Sequence, residues 1–330
     1  MAVIRANGMI AFPGPTKAGV GAETVGWNID DEVDMWAGPG WAVYPAATAG
    51  YDFMASATSV SGPQGPMVAD GRIKLMNYGK GIIFWETNAE AAVFTNGESN
   101  AGKSFTLNAV SADLHFYSDN NTITDATTYL GIPAGEIRRA TNYGRHVIDK
   151  IRKLQHSAGI YQAVYGYVET ASQGANVAQA TLTGDMIEGA VWACLIHETR
   201  GIIYFVHDFI YSGSNHCLRD NIGGYTARVR HLNARITALT PVLNTQSIAS
   251  VFNWTGDTMT KVTGGFTNVF AMSVRQGTRD TTPRTFTLPI STTATTVTAL
   301  NESRTLTITA GAFVDSFAAE FTCHIYKFAT

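Results

Sequence analysis

GWNIDDEVDMW, residues 26 to 36, places an apolar start and two tryptophans around four carboxylates, Asp30, Asp31, Glu32 and Asp34. In a chain that is only 15% charged, this concentrates acid beside aromatic surface. A solvated loop has no need of Trp27 and Trp36, and a buried strand cannot hold unpaired carboxylates, because burying an isolated charge is very costly. The stretch therefore reads as a strand end that opens into a polar pocket. The segments downstream decide the kind of sheet to which the strand belongs.

Four more short apolar runs lie further along the chain: IKLM (73 to 76), ADLHFY (112 to 117), YQAVYGYVE (161 to 169) and GIIYFVH (201 to 207). Helical stretches lie between and after them. Residues 134 to 156 bring Ile137, Val147, Ile148, Ile151 and Leu154 near one face, with Arg and Lys opposite. Residues 183 to 200 open on a Thr or Asp cap and stop before Gly201, and residues 226 to 239 close the series. Strands alternating with helices predict parallel βα units, so residues 1–240 are expected to form an α/β domain, a (β/α) barrel. After residue 240 the texture changes to Thr-rich alternation in NVFAMSVRQ, TFTLPIS, RTLTITAG and FTCHIYKF. Residues 241–330 are therefore expected to form an antiparallel β-sandwich. Leu306 and Ile308 should share one face against Thr305, Thr307 and Thr309, and Phe313, Phe317, Ile325 and Tyr326 should enter the core or the barrel interface.

Composition limits the function classes. The 330 residues, 45% hydrophobic, can bury a large core. A formal net charge of -3 gives no electrostatic argument for nucleic acid or an anionic membrane, and neutral polar ligands fit better. Cys194, Cys217 and Cys323 are too widely spaced for a zinc cluster or a disulfide scaffold. The sequence shows neither a signal peptide nor an apolar run long enough to span a membrane. No HxH or HExxH spacing supports a metal, and no cofactor is expected.

In a (β/α) barrel the site is built from the carboxyl ends of the strands and the loops after them. The expected strands end in Asp31 and Glu32, in Asn77 and Tyr78, in Tyr117 and Asp119, in Glu169, and in His207 and Asp208. Two carboxyls on separate strands, Glu32 and Glu169, suit glycoside hydrolysis: one protonates the leaving oxygen, and the other attacks the anomeric carbon or activates water. Trp27, Trp36, Trp41, Trp85 and Tyr165 would then supply sugar platforms, with Asp31, Asn77, Tyr78, Tyr117 and His207 as further substrate contacts. Asp30 and Asp34 are expected to face solvent or to cap. One motif points elsewhere: GESNAGKS, residues 97 to 104, fits the P-loop pattern letter for letter. Its flanks lack the strand and helix that a phosphate cradle requires, so it is expected to bind no nucleotide.

The succession GWNIDDEVDMW, RIKLMNYGKGIIFW, SADLHFYSD, AVYGYVET and AVWACLIHETRGIIYFVHDF resembles the later strands of glycoside hydrolase-type (β/α)8 barrels. ESRTLTITAGAFVDSFAAEFTCHIYKF is similar to the final sandwich strands that follow them. The resemblance implies Glu32 as acid/base and Glu169 as nucleophile of a retaining enzyme, although Asp31 stands where such enzymes usually carry Asn. A looser resemblance, to actinobacteriophage minor tail proteins with hydrolase-like barrels, implies a virion or otherwise extracellular location. It also implies a host cell-surface polysaccharide as ligand and an oligomeric assembly with other tail proteins. The alternative under the same resemblance is a structural tail protein that keeps the barrel for glycan binding or assembly. Only five strands are counted from residue 25 onward, with MAVIRANGMIAF as one further, whereas a closed barrel has eight. Either another chain completes the barrel on its N-terminal side or the domain is an open relative, and a partner surface is expected near the N-terminal region.

Overall fold

A computed structural model of the chain describes residues 1–39, 48–58, 70–96, 107–171, 182–208, 216–248, 257–272, 282–288 and 292–330. Trp41 and GESNAGKS lie outside the described residues. GWNIDD forms β1 (Gly26–Asp31), and its alternation buries Trp27 and Ile29 on one face. Four strands come after it: β2 (Ile73–Tyr78), β3 (Ala109–Ala112), β4 (Ala163–Glu169) and β5 (Gly201–Phe205). They lie in chain order, β1-β2-β3-β4-β5, and every pairing is parallel. Among the described residues this is a (β/α) barrel laid open at five strands. Ordering by sequence requires each crossover to pass over one face, and the helices occupy that face.

The longer helices are α1 (Thr48–Thr58), α2 (Asn88–Asn96), α3 (Asn120–Leu130), α4 (Asp149–Ser157), α5 (Gly184–Ile196) and α6 (Thr226–Leu243), beside two short ones, Ala2–Ala6 and Cys217–Asp220. A π-helical turn, Tyr143–Ile148, leads into α4. α1 and α3 were not expected, and α2 was expected only as a short helix and turn at AEAAVFTN. TAGYDFMASAT and NAEAAVFTN mix small, apolar and polar residues without a sharp stripe, so no 3.6-residue period stands out. α3 is defined by its ends: the Asp119 carboxylate accepts the N–H groups of Asn121 and Thr122, and Gly131 closes it at φ +66°. α5 begins as expected, with Thr183 capping Met186 N–H, and is buried from Ile187 through Cys194. β3 corrects the sequence reading. It ends at Ala112, so Asp113 to Tyr117 form a loop and not a strand; AVSA is too small and polar to announce itself, while the alternation in DLHFY mimics one.

The outer edge of β1 is partly covered by the chain itself. Ala11 N–H donates to Glu23 O (2.7 Å), Val25 N–H to Ala11 O (3.1 Å) and Asn28 N–H to Pro13 O (3.0 Å). Ala11 bridges Thr24 in parallel, and Pro13, lacking an N–H, cannot extend the ladder. Residues 11–13 thus supply an edge cover, whereas Ala2–Ala6 of the expected sixth strand is a short helix with no buried residue.

The C-terminal region holds β6 (Asp257–Thr263), β7 (Phe266–Met272), β8 (Arg284–Thr287), β9 (Thr296–Ala299), β10 (Arg304–Thr307), β11 (Ala312–Asp315) and β12 (Cys323–Ala329). Five strands form an antiparallel sheet in the order β10-β9-β12-β7-β6, and β11 pairs with β8. Tyr326, Val269 and Ala271 pack with Phe286, Phe313 and Phe317, and the Phe286 and Phe313 rings stack at 4.7 Å. The opposite face presents Phe270, Met272 and Ile325 to the core around Trp192 of α5. The period of two explains both faces: neighbouring residues of β7 and β12 serve different cores. A half-buried ionic cluster joins the two regions, with His197 2.8 Å from Asp149 and 3.0 Å from Asp257, and Arg145 2.8 Å from Asp257. α6 runs past residue 240, so the chain enters the second region after a helix that still belongs to the first. Among the described residues no helix is long and apolar enough to cross a membrane.

Candidate active site

The carboxyl ends of β1 to β4 converge on one acidic mouth. Glu32 leaves β1 in the left-handed region at φ +51°, and its N–H donates to Asn77 O (2.9 Å). A non-glycine residue held there is strained, and such strain concentrates at functional positions. Gly79 makes room for it, since a Cβ at that position would stand 2.8 Å from Glu32 Oε1 and 2.4 Å from Met35 Sδ. Burial, then the charges of Asp113, Asp31 and Asp34, push the Glu32 carboxyl up to about 8.

Asp34 points away from this mouth. Its carboxylate, buried, accepts N–H bonds from Gly79 (2.9 Å) and Ile82 (3.0 Å), and burial outweighs these bonds to raise it to about 6. It caps the turn that follows β2, as the sequence suggested. Asp31 stays at the mouth: Asn77 Nδ2 donates to it (2.7 Å), while Asn77 Oδ1 accepts from Ser111 Oγ (2.6 Å). A polar row therefore crosses β1, β2 and β3 on the face opposite the helices.

The loop after β3 adds Asp113 and His115, whose Nε2 lies 2.7 Å from Asp113 Oδ1 and whose Nδ1 lies 3.8 Å from Glu169 Oε2. Burial opposes the His115 charge, but Asp113, Glu169 and Asp119 outweigh it and hold the ring up at about 9. Phe205 and Tyr167 meet the ring edge to face. Glu169 ends β4 with no exposed surface. It accepts from Tyr117 N–H (2.8 Å) and from the hydroxyls of Ser118 and Tyr143. Burial raises its pKa against the pull of His115 and these donors.

Beside the mouth, the uncovered face of the sheet forms a cavity of about 540 Å³ lined by Phe12, Asp31, Asn77, Tyr165, Tyr167 and Ile203 among others. The volume suits a small-molecule site. Polar groups at one end and tyrosine rings along a wall suit a hydroxylated ligand.

The structure thus gathers Asp31, Glu32 and Asn77 and connects Glu169 to them through His115 and Asp113. Several expected contacts lie elsewhere. Trp27 is 1% exposed, its indole N–H donating to Asp70 (3.1 Å) beneath the Arg72 guanidinium, because the strand's alternation turns it to the helix side. Tyr78 is buried by the same alternation, and its hydroxyl donates to Phe94 O (2.6 Å). Trp36 packs on Phe53, and Trp85 meets Tyr129 edge to face. Tyr117 is buried and donates to Glu320 (2.9 Å). Trp27, Tyr78 and Tyr117 are closed off from solvent where they stand, whereas Trp36 and Trp85 are half-buried. His207, half-buried beyond β5, meets Phe205 edge to face. Asp113, His115 and Tyr167 were missed. The first two sat inside a supposed strand, although a carboxylate two residues before a histidine in an aromatic run was a signal.

With this geometry in place, the fold can be compared with solved structures. An α-amylase from H. orenii matches at a TM-score of 0.50 and 7% identity, covering 92% of this chain and 61% of that one. α-Amylases from Geobacillus thermoleovorans (complexed with acarbose; TM-score 0.47, 8% identity, 84% and 57% covered) and from Anoxybacillus (0.42, 11%, 84% and 56%) are also similar. The chain spans roughly three-fifths of the length of these enzymes. No protein-family model and no curated protein matches the sequence. In fold alone, a parallel part-barrel followed by an antiparallel sheet region, the chain is similar to the α-amylase from H. orenii.

Proposed function

We propose that the chain is a carbohydrate-active protein in which the open face of the five-stranded sheet receives a sugar and Glu32 exchanges a proton with the glycosidic oxygen. The observation that carries this is Glu32 itself: strained, desolvated and surrounded by carboxylates, with its pKa at about 8. A carboxyl that remains protonated at neutral pH can supply the leaving group's proton. Asp31 and Asn77 would bind hydroxyls, with Tyr165 and Tyr167 as ring surfaces. In the retaining form of the reaction Glu169 attacks the anomeric carbon and Glu32 serves as acid and then as base. Ser118 and Tyr143 must first release Glu169, because every approach to it is closed.

That closure favours a second reading, in which the mouth binds glycan without turning it over. Glu169 then acts as a structural anchor under His115. The finer assignment, a phage tail component that meets a host cell-surface polysaccharide, rests on the sequence resemblance and selects the first substrate to try. The same holds for an extracellular or virion setting and for a tail partner that completes the barrel. Titrating envelope oligosaccharides into wild type and Tyr167→Ala, with reducing ends measured in parallel, separates the readings. Binding that Tyr167→Ala weakens, together with reducing ends, supports the hydrolase. Binding without reducing ends supports the second reading, and no binding refutes both.

A further inference from the structure

On the helix-covered side, far in chain order from the β1 mouth, a groove of about 640 Å³ runs between α2 and the π turn with α4. Arg145, His146, Lys150 and Lys153 line it, over an apolar floor that includes Ala92 and Leu154. We propose that this groove binds a small organic anion, a phosphate or carboxylate head carried on an apolar body.

The charge balance of the groove supports this. Arg145 is engaged by Asp257 at 2.8 Å. The Lys150 ammonium is half-buried and, among the described residues, donates to Ile83 O (3.0 Å), a carbonyl of the π turn Gly81–Trp85. Among the described residues neither Lys150 nor Lys153 has a carboxylate within ion-pair distance. The acid that faces Lys150 is Glu86, whose two oxygens are buried without a hydrogen-bond partner. Burial, with Asp34 and Glu90, raises Glu86 to about 9, and burial lowers Lys150, so the pair by itself is held away from full charge. Asp149 is occupied by His197. A half-buried ammonium without a counter-charge costs desolvation that an anionic ligand recovers. The chain's overall charge of -3 makes this local excess of cations the more notable.

The volume and floor define the rest of the ligand. A bare inorganic anion would leave the apolar floor wet, whereas the groove's size lies within the range of small-molecule sites. The head would lie against Lys150 and Lys153, and the body against Ala92 and Leu154.

Calorimetric titration with octyl phosphate below its micelle concentration tests the inference, using inorganic phosphate and octyl glucoside as controls for head and tail. Saturable binding near one equivalent is expected, weaker for either control and about tenfold weaker for each of Lys150→Gln and Lys153→Gln, since a charge-assisted bond contributes on that scale. Lys153 is exposed, so its variant folds normally, and thermal melting verifies this. Equal affinity for octyl glucoside, unchanged affinity in the folded Lys153→Gln variant, or association only with anionic phospholipid vesicles would overturn the proposal.

Discussion

Replacing Glu32 with Gln keeps the shape of the protonated carboxyl and removes its ability to ionise, so the effect on stability isolates the cost of holding that proton. The folded pKa of about 8 lies above the ordinary value of 4.5. For a raised carboxyl the sign is fixed: its favourable contribution is complete below pH 4.5 and is lost as pH climbs through 8. At pH 7 the unfolded chain would release the proton that the folded chain keeps, which costs the wild type about 3 kcal/mol, or about 2 kcal/mol once solvent at the exposed edge of this half-buried group is allowed for. Glu32→Gln should therefore be more stable than wild type by about 2 to 3 kcal/mol at pH 7. The two should converge near pH 4, and the gap should widen up to about pH 8. Urea denaturation followed by tryptophan fluorescence across pH 4 to 9 reads this directly. Equal stabilities at every pH, or a variant less stable at pH 7, would show that Glu32 is solvated and would remove the physical basis of its assignment. A residue that stores destabilisation at a mouth is the usual signature of function traded against stability.

The same geometry carries other outcomes. Glu169→Gln should lose about 3 kcal/mol in urea denaturation, because an amide group is forced among donors arranged for a carboxylate; an unchanged midpoint would mean that the Tyr117, Ser118 and Tyr143 bonds carry no net stability. Burial opposes the charge of His197, but Asp149 and Asp257 outweigh it and raise it from 6.5 to about 9, so its contribution is complete below pH 6.5 and lost as pH passes 9. His197→Asn should accordingly cost about 3 kcal/mol at pH 6 and much less at pH 10, and a pH-independent loss would point to packing alone. Phe286→Ala, which removes one ring of the stacked pair in the sandwich, should cost about 3 to 5 kcal/mol in thermal or urea denaturation; a loss below about 1 kcal/mol would show that the sandwich core tolerates the cavity.

The parts of the fold legible in the sequence were those written as strong periodicities. β1, β2, β4 and β5 stood out because branched and aromatic residues run together in them, and the Thr alternation of the C-terminal strands announced a sheet with two unlike faces. α1 and α3 were illegible, and α2 legible only as a short helix and turn, because small residues blur the helical stripe; β3 was illegible because its four residues are nearly featureless. In the site, Asp31, Glu32 and Asn77 followed from the rule that polar residues at strand ends face the mouth. Tyr78 failed for a reason of parity, lying one position from the mouth-facing Asn77, and Trp27 because the register shifts between Asn28 and Asp31, so that Asp31 reaches the mouth while Trp27, four positions earlier, stays on the other face. The closed shell around Glu169 required contacts from Ser118 and Tyr143, which no local pattern connects to residue 169.

The most direct measurement is the pH dependence of reducing-end release from envelope polysaccharide by wild type and Glu32→Gln. With Glu32 as proton donor, wild-type kcat/KM should fall on an alkaline limb with its midpoint near 8. Glu32→Gln should lose at least about 100-fold on this natural substrate while it still binds the glycan. Wild-type turnover with no limb near that pH, or a Glu32→Gln variant as active as wild type, would contradict the account.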